Sequence, residues 1–432
     1  MKHLVLIAAC IIAPALGWSG PLPAADAVFP EPDMTEVQLG RLLFYDSILS
    51  GNKSVSCASC HHPKLGTSDG LSLGLGDGAR GLGTERRIDA ANPPEQRIAR
   101  NAPGLFNLGA GQFVTLFHDG RLQVDPSEAS GMRTPLGDDM ETGFDSVLSA
   151  QMMFPVLSPD EMAGHYSEND VAQAVRQGFL TGPDGAWAIL AQRVADIPEY
   201  RAAFDPVIGA ETPIHFTDIA NAVSAFVAFE WRADNSPFDQ FLRDGTALAP
   251  AARRGLDLFY GKAGCDTCHS GQFQTDQKFH AIAMPQIGPG KTARFEAHNS
   301  DEGRARVTAD PSDMYAFRTP SLRNVTTTAP YGHSGAYATL DAVIRHHLDP
   351  VAALLAYNPD QAILPGLDAA GDFSVMSDPE QVSRIAAANG LAPVALTDAE
   401  ISDLISFLEA LSDPAERLGV PLIVPSNLPL DQ

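Results

Sequence analysis

The chain has 432 residues, 44% hydrophobic and 19% charged, which is ordinary for a folded globular protein and long enough for two or three domains. With 53 acidic residues against 29 Lys and Arg, the formal charge is −24. That balance excludes nucleic acid and anionic membrane surfaces as partners, since phosphates call for a basic patch; a basic redox protein stays compatible with it.

Residues 1–27 read as a signal peptide. Lys2 gives a positive start, Leu4 through Leu16 an apolar stretch, and Ala25-Asp26-Ala27 an A-x-A-like cleavage site, with Gly17 as an alternative. The apolar run is too short to span a bilayer comfortably, and no later stretch is long enough. Cys10 follows Ala8-Ala9, a loose match to a lipoprotein site that the continuing Ile11 and Ile12 argue against. The mature chain is expected to be exported, to the periplasm in a Gram-negative source.

Thr35-Glu36-Val37-Gln38 reads as a capping box ahead of a helix carrying Leu39, Leu42 and Leu43. A Gly- and Asp-rich loop covers residues 66–83, and residues 121–147 look like a polar, irregular insertion. An apolar helix over residues 217–231 is broken at Asn235-Ser236-Pro237, which sets a domain boundary. The second half opens with a helix over residues 251–260, and the Pro-, Gly- and Asp-rich residues 349–395 read as another insertion. Thr397-Asp398-Ala399-Glu400 caps a final helix with Ile401, Leu404, Ile405, Leu408 and Leu411, ended by Asp413-Pro414. Strand patterns are scarce, so the fold reads as mainly α. The expected divisions are residues 28–235, 236–415 and a tail of 416–432.

Cysteine usage is more specific. Of five cysteines, the leader takes Cys10; the other four lie in Cys57-Ala58-Ser59-Cys60-His61 and Cys265-Asp266-Thr267-Cys268-His269. This is the c-type haem spacing: two thiols add across the haem vinyl groups, and the adjacent imidazole ligates the iron. A thioredoxin-like pair needs no following His, and a zinc site lacks a matched fourth ligand at each motif. Two covalent c-type haems follow, with His61 and His269 as their first axial ligands. The sixth position then decides function, because a six-coordinate haem moves electrons whereas an open one can bind peroxide.

Further motifs carry a family resemblance. They are Leu42-Leu43-Phe44-Tyr45-Asp46, Arg100-Asn101-Ala102-Pro103, Phe117-His118-Asp119-Gly120-Arg121, Ser158-Pro159-Asp160-Glu161-Met162 and Ser236-Pro237-Phe238-Asp239. Arg318-Thr319-Pro320-Ser321-Leu322-Arg323-Asn324-Val325 then runs into Thr328-Ala329-Pro330-Tyr331-Gly332-His333. Over roughly residues 35–415 the chain resembles the bacterial di-haem cytochrome c peroxidase and MauG superfamily. The resemblance implies two cytochrome c-like haem domains packed together with a haem at each core, the N-terminal haem peroxidatic and the C-terminal one transferring electrons.

It also implies site residues. Gln151, Pro155 and Glu161 match the family's distal positions, with Glu161 as acid–base group for O–O cleavage; read alone, Glu161 after Ser158-Pro159 would be a capping or solvent-facing residue. No histidine lies between His62 and His118, so the first haem is expected to be open, the alternative being closure by Met152, Met153 or His165. His347 matches the second haem's distal ligand, with His346 next to it; as plain residues both would be surface cations at a helix C-terminus. His118 stands where the family has Trp, and its alternatives are a bond to a haem propionate or a bridge between domains. Ala263 and Gly264 occupy the stretch where MauG-type members have a further Trp. Asn101 with the carbonyls of Thr328 and Pro330 matches a Ca²⁺ site, or else an ordinary turn.

The expected activity is reduction of hydrogen peroxide with electrons from a small cytochrome c or cupredoxin. The alternatives are peroxide-driven oxidation of Tyr or Trp on a partner protein, and a non-catalytic electron carrier. The resemblance allows a homodimer.

Overall fold

The computed structural model describes residues 21–290, 298–367, 371–413 and 416–431; most of the expected leader and Pro414 lie outside them. Among the described residues thirteen α-helices form the framework. In the first half these are α1 (Met34–Tyr45), α2 (Val147–Gln151), α3 (Asp170–Gln177), α4 (Ala186–Ala195), α5 (Pro198–Ile208) and α6 (Phe216–Glu230). In the second they are α7 (Pro237–Asp244), α8 (Pro250–Phe259), α9 (Ala305–Thr308), α10 (Leu340–Leu348), α11 (Pro350–Leu355), α12 (Pro379–Ala387) and α13 (Asp398–Glu409). Strands are confined to short antiparallel ribbons, so the fold is mainly α as expected. No described helix is long and apolar enough to cross a membrane.

Each half is organised around one helix pair, and the two pairs repeat each other. In α1, Gly40 lies so close to α6 that a Cβ there would overlap the Ala222 carbonyl and meet Phe226 Cβ at 3.0 Å. In α8, Gly255 stands in the same relation to α13, against the Asp403 carbonyl and 2.8 Å from Phe407 Cβ. Behind each glycine the chain repeats Leu-Phe-Tyr, as Leu43-Phe44-Tyr45 and Leu258-Phe259-Tyr260. Phe44, Tyr45, Phe226 and Trp231 cluster in the first core; Phe238, Phe259, Tyr260 and Phe407 do so in the second.

Several local expectations are corrected. The N-cap of α1 is Asp33, whose carboxylate accepts from Thr35 N at 2.8 Å, so the helix starts before the expected capping box. Residues 121–147 are not wholly irregular: Leu122–Val124 pairs with Thr115–Leu116 on one side and Met132–Arg133 on the other. Residues 349–395 hold α11 and α12, where Asp349-Pro350 and Asp378-Pro379 act as N-cap and first helical residue. Proline at that position lacks only an N–H that would go unpaired anyway, so Asp-Pro here starts helices. At Thr397 the capping box with Glu400 forms as read.

Gly40→Ala and Gly255→Ala each force a methyl group into backbone across a packed helix pair. Each is expected to cost about 1–3 kcal/mol, visible as a lowered Tm in thermal unfolding followed by circular dichroism.

Candidate functional site

Both Cys-x-x-Cys-His motifs form a single 3-10 turn, Cys57–Ser59 and Cys265–Thr267, followed by the second cysteine and the histidine. All four cysteines are free of disulfides. His61 Nδ1 lies 2.9 Å from the Thr67 carbonyl, and His269 Nδ1 lies 3.0 Å from the Gln274 carbonyl. A backbone carbonyl accepts, so each ring donates through Nδ1–H and keeps Nε2 available to a metal. Thr67 and Gln274 both adopt positive φ, +61° and +47°. Burial lowers the pKa of both histidines, His269 to about 4 with the His347 charge assisting, so both rings are neutral and fit for iron. The donor set at each turn therefore fits a covalently attached haem.

The surroundings of the two motifs differ. At the second, the His347 ring on α10 faces His269 with ring centres 6.4 Å apart. Two imidazoles each about 2 Å from a shared metal would put their centres roughly 6 Å apart. His347 Nδ1 is occupied by the Val343 carbonyl at 2.8 Å, one turn back, which leaves Nε2 toward His269. His346 is fully buried with both nitrogens engaged, Nδ1 to the Tyr337 hydroxyl at 2.9 Å and Nε2 to the Ile282 carbonyl at 2.8 Å. Thr339 caps α10 through its hydroxyl, accepting from Ala342 N at 3.2 Å.

At the first motif, Cys57 shares an apolar cavity with Met152, Pro155 and Met162. Gln151 ends α2, and its side-chain oxygen Oε1 is buried without a partner among the described residues. Glu161 sits in a single π-turn, Pro159–Ala163, and Ser158 makes no side-chain cap there. Burial pushes the Cys60 thiol up to about 12, with Arg86 opposing and Asp69, Glu161 and Asp431 adding to the rise. Met153 is packed in the first core, while His165 lies beside Glu95 (3.6 Å) and Asp160 (3.9 Å).

Between the halves lies a buried polar cluster. His118 Nε2 is 2.8 Å from Asp301 Oδ2 and 3.0 Å from Arg100 Nε, and Arg100 pairs directly with Asp301. Burial drops Arg100 to about 9. His333 stacks on Phe317, centres 3.8 Å apart, and His118 lies nearly parallel to His333 at 6.4 Å. Asn101 N donates to the His333 carbonyl at 3.2 Å, and Asn101 Nδ2 to the Leu71 carbonyl at 2.7 Å. A Cβ on Gly104 would meet Thr328 Cγ2 at 2.9 Å, so the chain after Asn101 runs against the stretch holding Thr328 and Pro330. Sequence reading missed Asp301 and Arg86, neither of which belongs to a motif. Arg86 is buried and donates to the Ser59 carbonyl at 2.9 Å.

Comparison with known proteins identifies the family. The profile of the family described as di-haem cytochrome c peroxidase matches residues 34–247. Methylamine utilization protein MauG of Methylorubrum extorquens is 32% identical over 335 residues, 76% of this chain and 72% of that protein. Cytochrome-c peroxidase IdrP1 of Denitromonas iodatirespirans is 29% identical over 418 residues, 91% of this chain and 86% of that protein. A solved MauG-like protein associated with microbial copper homeostasis superimposes with a TM-score of 0.58 at 26% identity, covering 94% of this chain and 96% of its own. With its two haem-attachment turns and this resemblance along most of its length, the chain belongs to the di-haem cytochrome c peroxidase family.

Proposed function

We propose that the chain is a periplasmic di-haem peroxidase that reduces hydrogen peroxide, with a small cytochrome c or cupredoxin as electron donor. Cys57, Cys60 and His61 hold one haem; Cys265, Cys268, His269 and His347 hold the other. When bound, the two haems supply iron redox chemistry, peroxide reduction at the first and electron transfer at the second.

The observation that carries this reading is the asymmetry between the motifs. An imidazole, His347, faces the ligand histidine of the second. The first adjoins an apolar cavity lined by Met152, Pro155, Val156 and Met162, and Gln151 and Glu161 are the chain neighbours of Met152 and Met162. Glu161 accepts the peroxide proton on its carboxylate and returns it to the departing oxygen. Gln151 orients the peroxide through its amide, and Pro155 keeps the wall apolar. His118 joins the halves through Asp301, in keeping with a structural bridge at the position where the family has Trp. The Asn101 side-chain carbonyl and the backbone carbonyls of Thr328 and Pro330 are the oxygen donors for Ca²⁺.

A second reading, oxidation of Tyr or Trp on a partner protein, is favoured by the 32% identity to a MauG. Turnover with a reduced cytochrome separates the two: rapid oxidation of the cytochrome by peroxide supports the first, and none supports the second.

Glu161→Gln is expected to lower peroxide turnover by about 10²–10⁴-fold while the optical spectrum of both haems stays unchanged. In low-temperature EPR the oxidised protein should show a high-spin ferric signal beside a low-spin bis-imidazole signal. His347→Ala should abolish the low-spin signal and His346→Ala should keep it; two low-spin signals in the unaltered protein would mean a closed first haem, either one that reduction opens or that of an electron carrier. Removal of Ca²⁺ with EGTA should slow electron transfer between the haems in stopped-flow absorbance, and added Ca²⁺ should restore it.

A further inference from the structure

We propose that Asp431 is a positioning residue for the haem attached at Cys57 and Cys60: the end of the chain returns to the first half and places this carboxylate on the serines of the attachment turn. The inference rests on haem attachment at that motif and not on peroxide turnover.

The return path is fixed at successive points. Arg41 Nε donates to the Gly419 carbonyl at 2.8 Å. Glu230, buried at the end of α6, accepts Leu418 N and Gly419 N, one on each carboxylate oxygen, both at 2.8 Å. Val424 is buried in the first core. Asp46, buried after α1, accepts the Ser426 hydroxyl at 2.6 Å and also the Tyr200 hydroxyl at 2.7 Å. Losing the Leu418 and Gly419 amides would strand the Glu230 carboxylate and losing Ser426 would weaken the set of donors on Asp46, so the segment is anchored by the cost of leaving buried carboxylates short of partners.

Beyond these anchors, Asp431 receives the Ser59 hydroxyl and, at 3.3 Å, the Ser56 hydroxyl. Ser59 stands between the two attachment cysteines and is buried. Its carbonyl is held by Arg86 and its hydroxyl by Asp431, a cation at one end and an anion at the other. The carboxylate is close enough to contribute to the raised pKa of Cys60, after burial and nearer charges. The second motif differs: Thr267, at the matching position, is exposed, and its hydroxyl donates to the Gly264 carbonyl at 2.8 Å and to Cys268 Sγ at 3.9 Å, with no carboxylate partner among the described residues. The second haem therefore serves as an internal control.

A fixed negative charge beside a haem favours its more positive, ferric state. The test is a spectroelectrochemical redox titration of the full-length, haem-loaded protein. Asp431→Asn keeps the shape and removes the charge; it is expected to move the first-haem midpoint to a more positive potential with the second unchanged. Asp431→Glu is expected to stay near the unaltered value. An unchanged first-haem midpoint in Asp431→Asn, or equal movement of both haems, overturns the proposal. Neither outcome bears on peroxide reduction, which is assayed separately.

Discussion

Two imidazole rings have to be held with one nitrogen aimed away from the polypeptide, and much of the architecture follows from that constraint. In both halves the ring is fixed through its other nitrogen by a backbone carbonyl five or six residues downstream. The carbonyl is turned inward because Thr67 and Gln274 take left-handed conformations, a cost of about 1–3 kcal/mol each that the surrounding packing must sustain. The helix pairs α1–α6 and α8–α13 are what that packing rests on. Their glycines let backbones touch, and the aromatic residues behind them build each core.

The halves are joined by buried charge as well as by apolar contacts such as Phe113 on Phe273. Arg100 with Asp301 and Arg97 with Asp372 cross from one half to the other, and Arg304 reaches the Gly120 carbonyl at 2.8 Å. Buried ion pairs add little net stability, yet removing one partner is costly, so they select a single docking register. Such a register matters where two redox groups must keep a fixed separation. His118, Phe317 and His333 stack in this same seam, with rings close to parallel.

Much of this was legible in the sequence because covalent haem attachment demands a contiguous motif. The helices over α6, α8 and α13 were legible for a related reason, since apolar spacing and caps are local signals. What stayed hidden depends on distant pairings. Gly40 and Gly255 look like ordinary helix residues until Ala222 and Asp403 are set against them. Asp301 belongs to no motif, and its importance comes from Arg100 and His118, roughly 200 residues earlier in the chain. The Pro-rich composition of residues 349–395 hid α11 and α12, because proline breaks a helix interior but suits a helix start. His346 and His347 were adjacent candidates on one helix; what distinguishes them is the Tyr337 hydroxyl and the Ile282 carbonyl on one ring and an imidazole opposite the other.

The tail that closes over the first half has a consequence for biosynthesis. Arg41 finds its acceptor 378 residues later, and Asp46 meets Ser426 across 380. A ribosome delivers the N-terminal half first, and domains generally fold as they emerge. Here the earlier half is not completed until residues 418–431 have been made. Its attachment turn therefore stays uncovered on the Ser56 and Ser59 side until residues 418–431 dock.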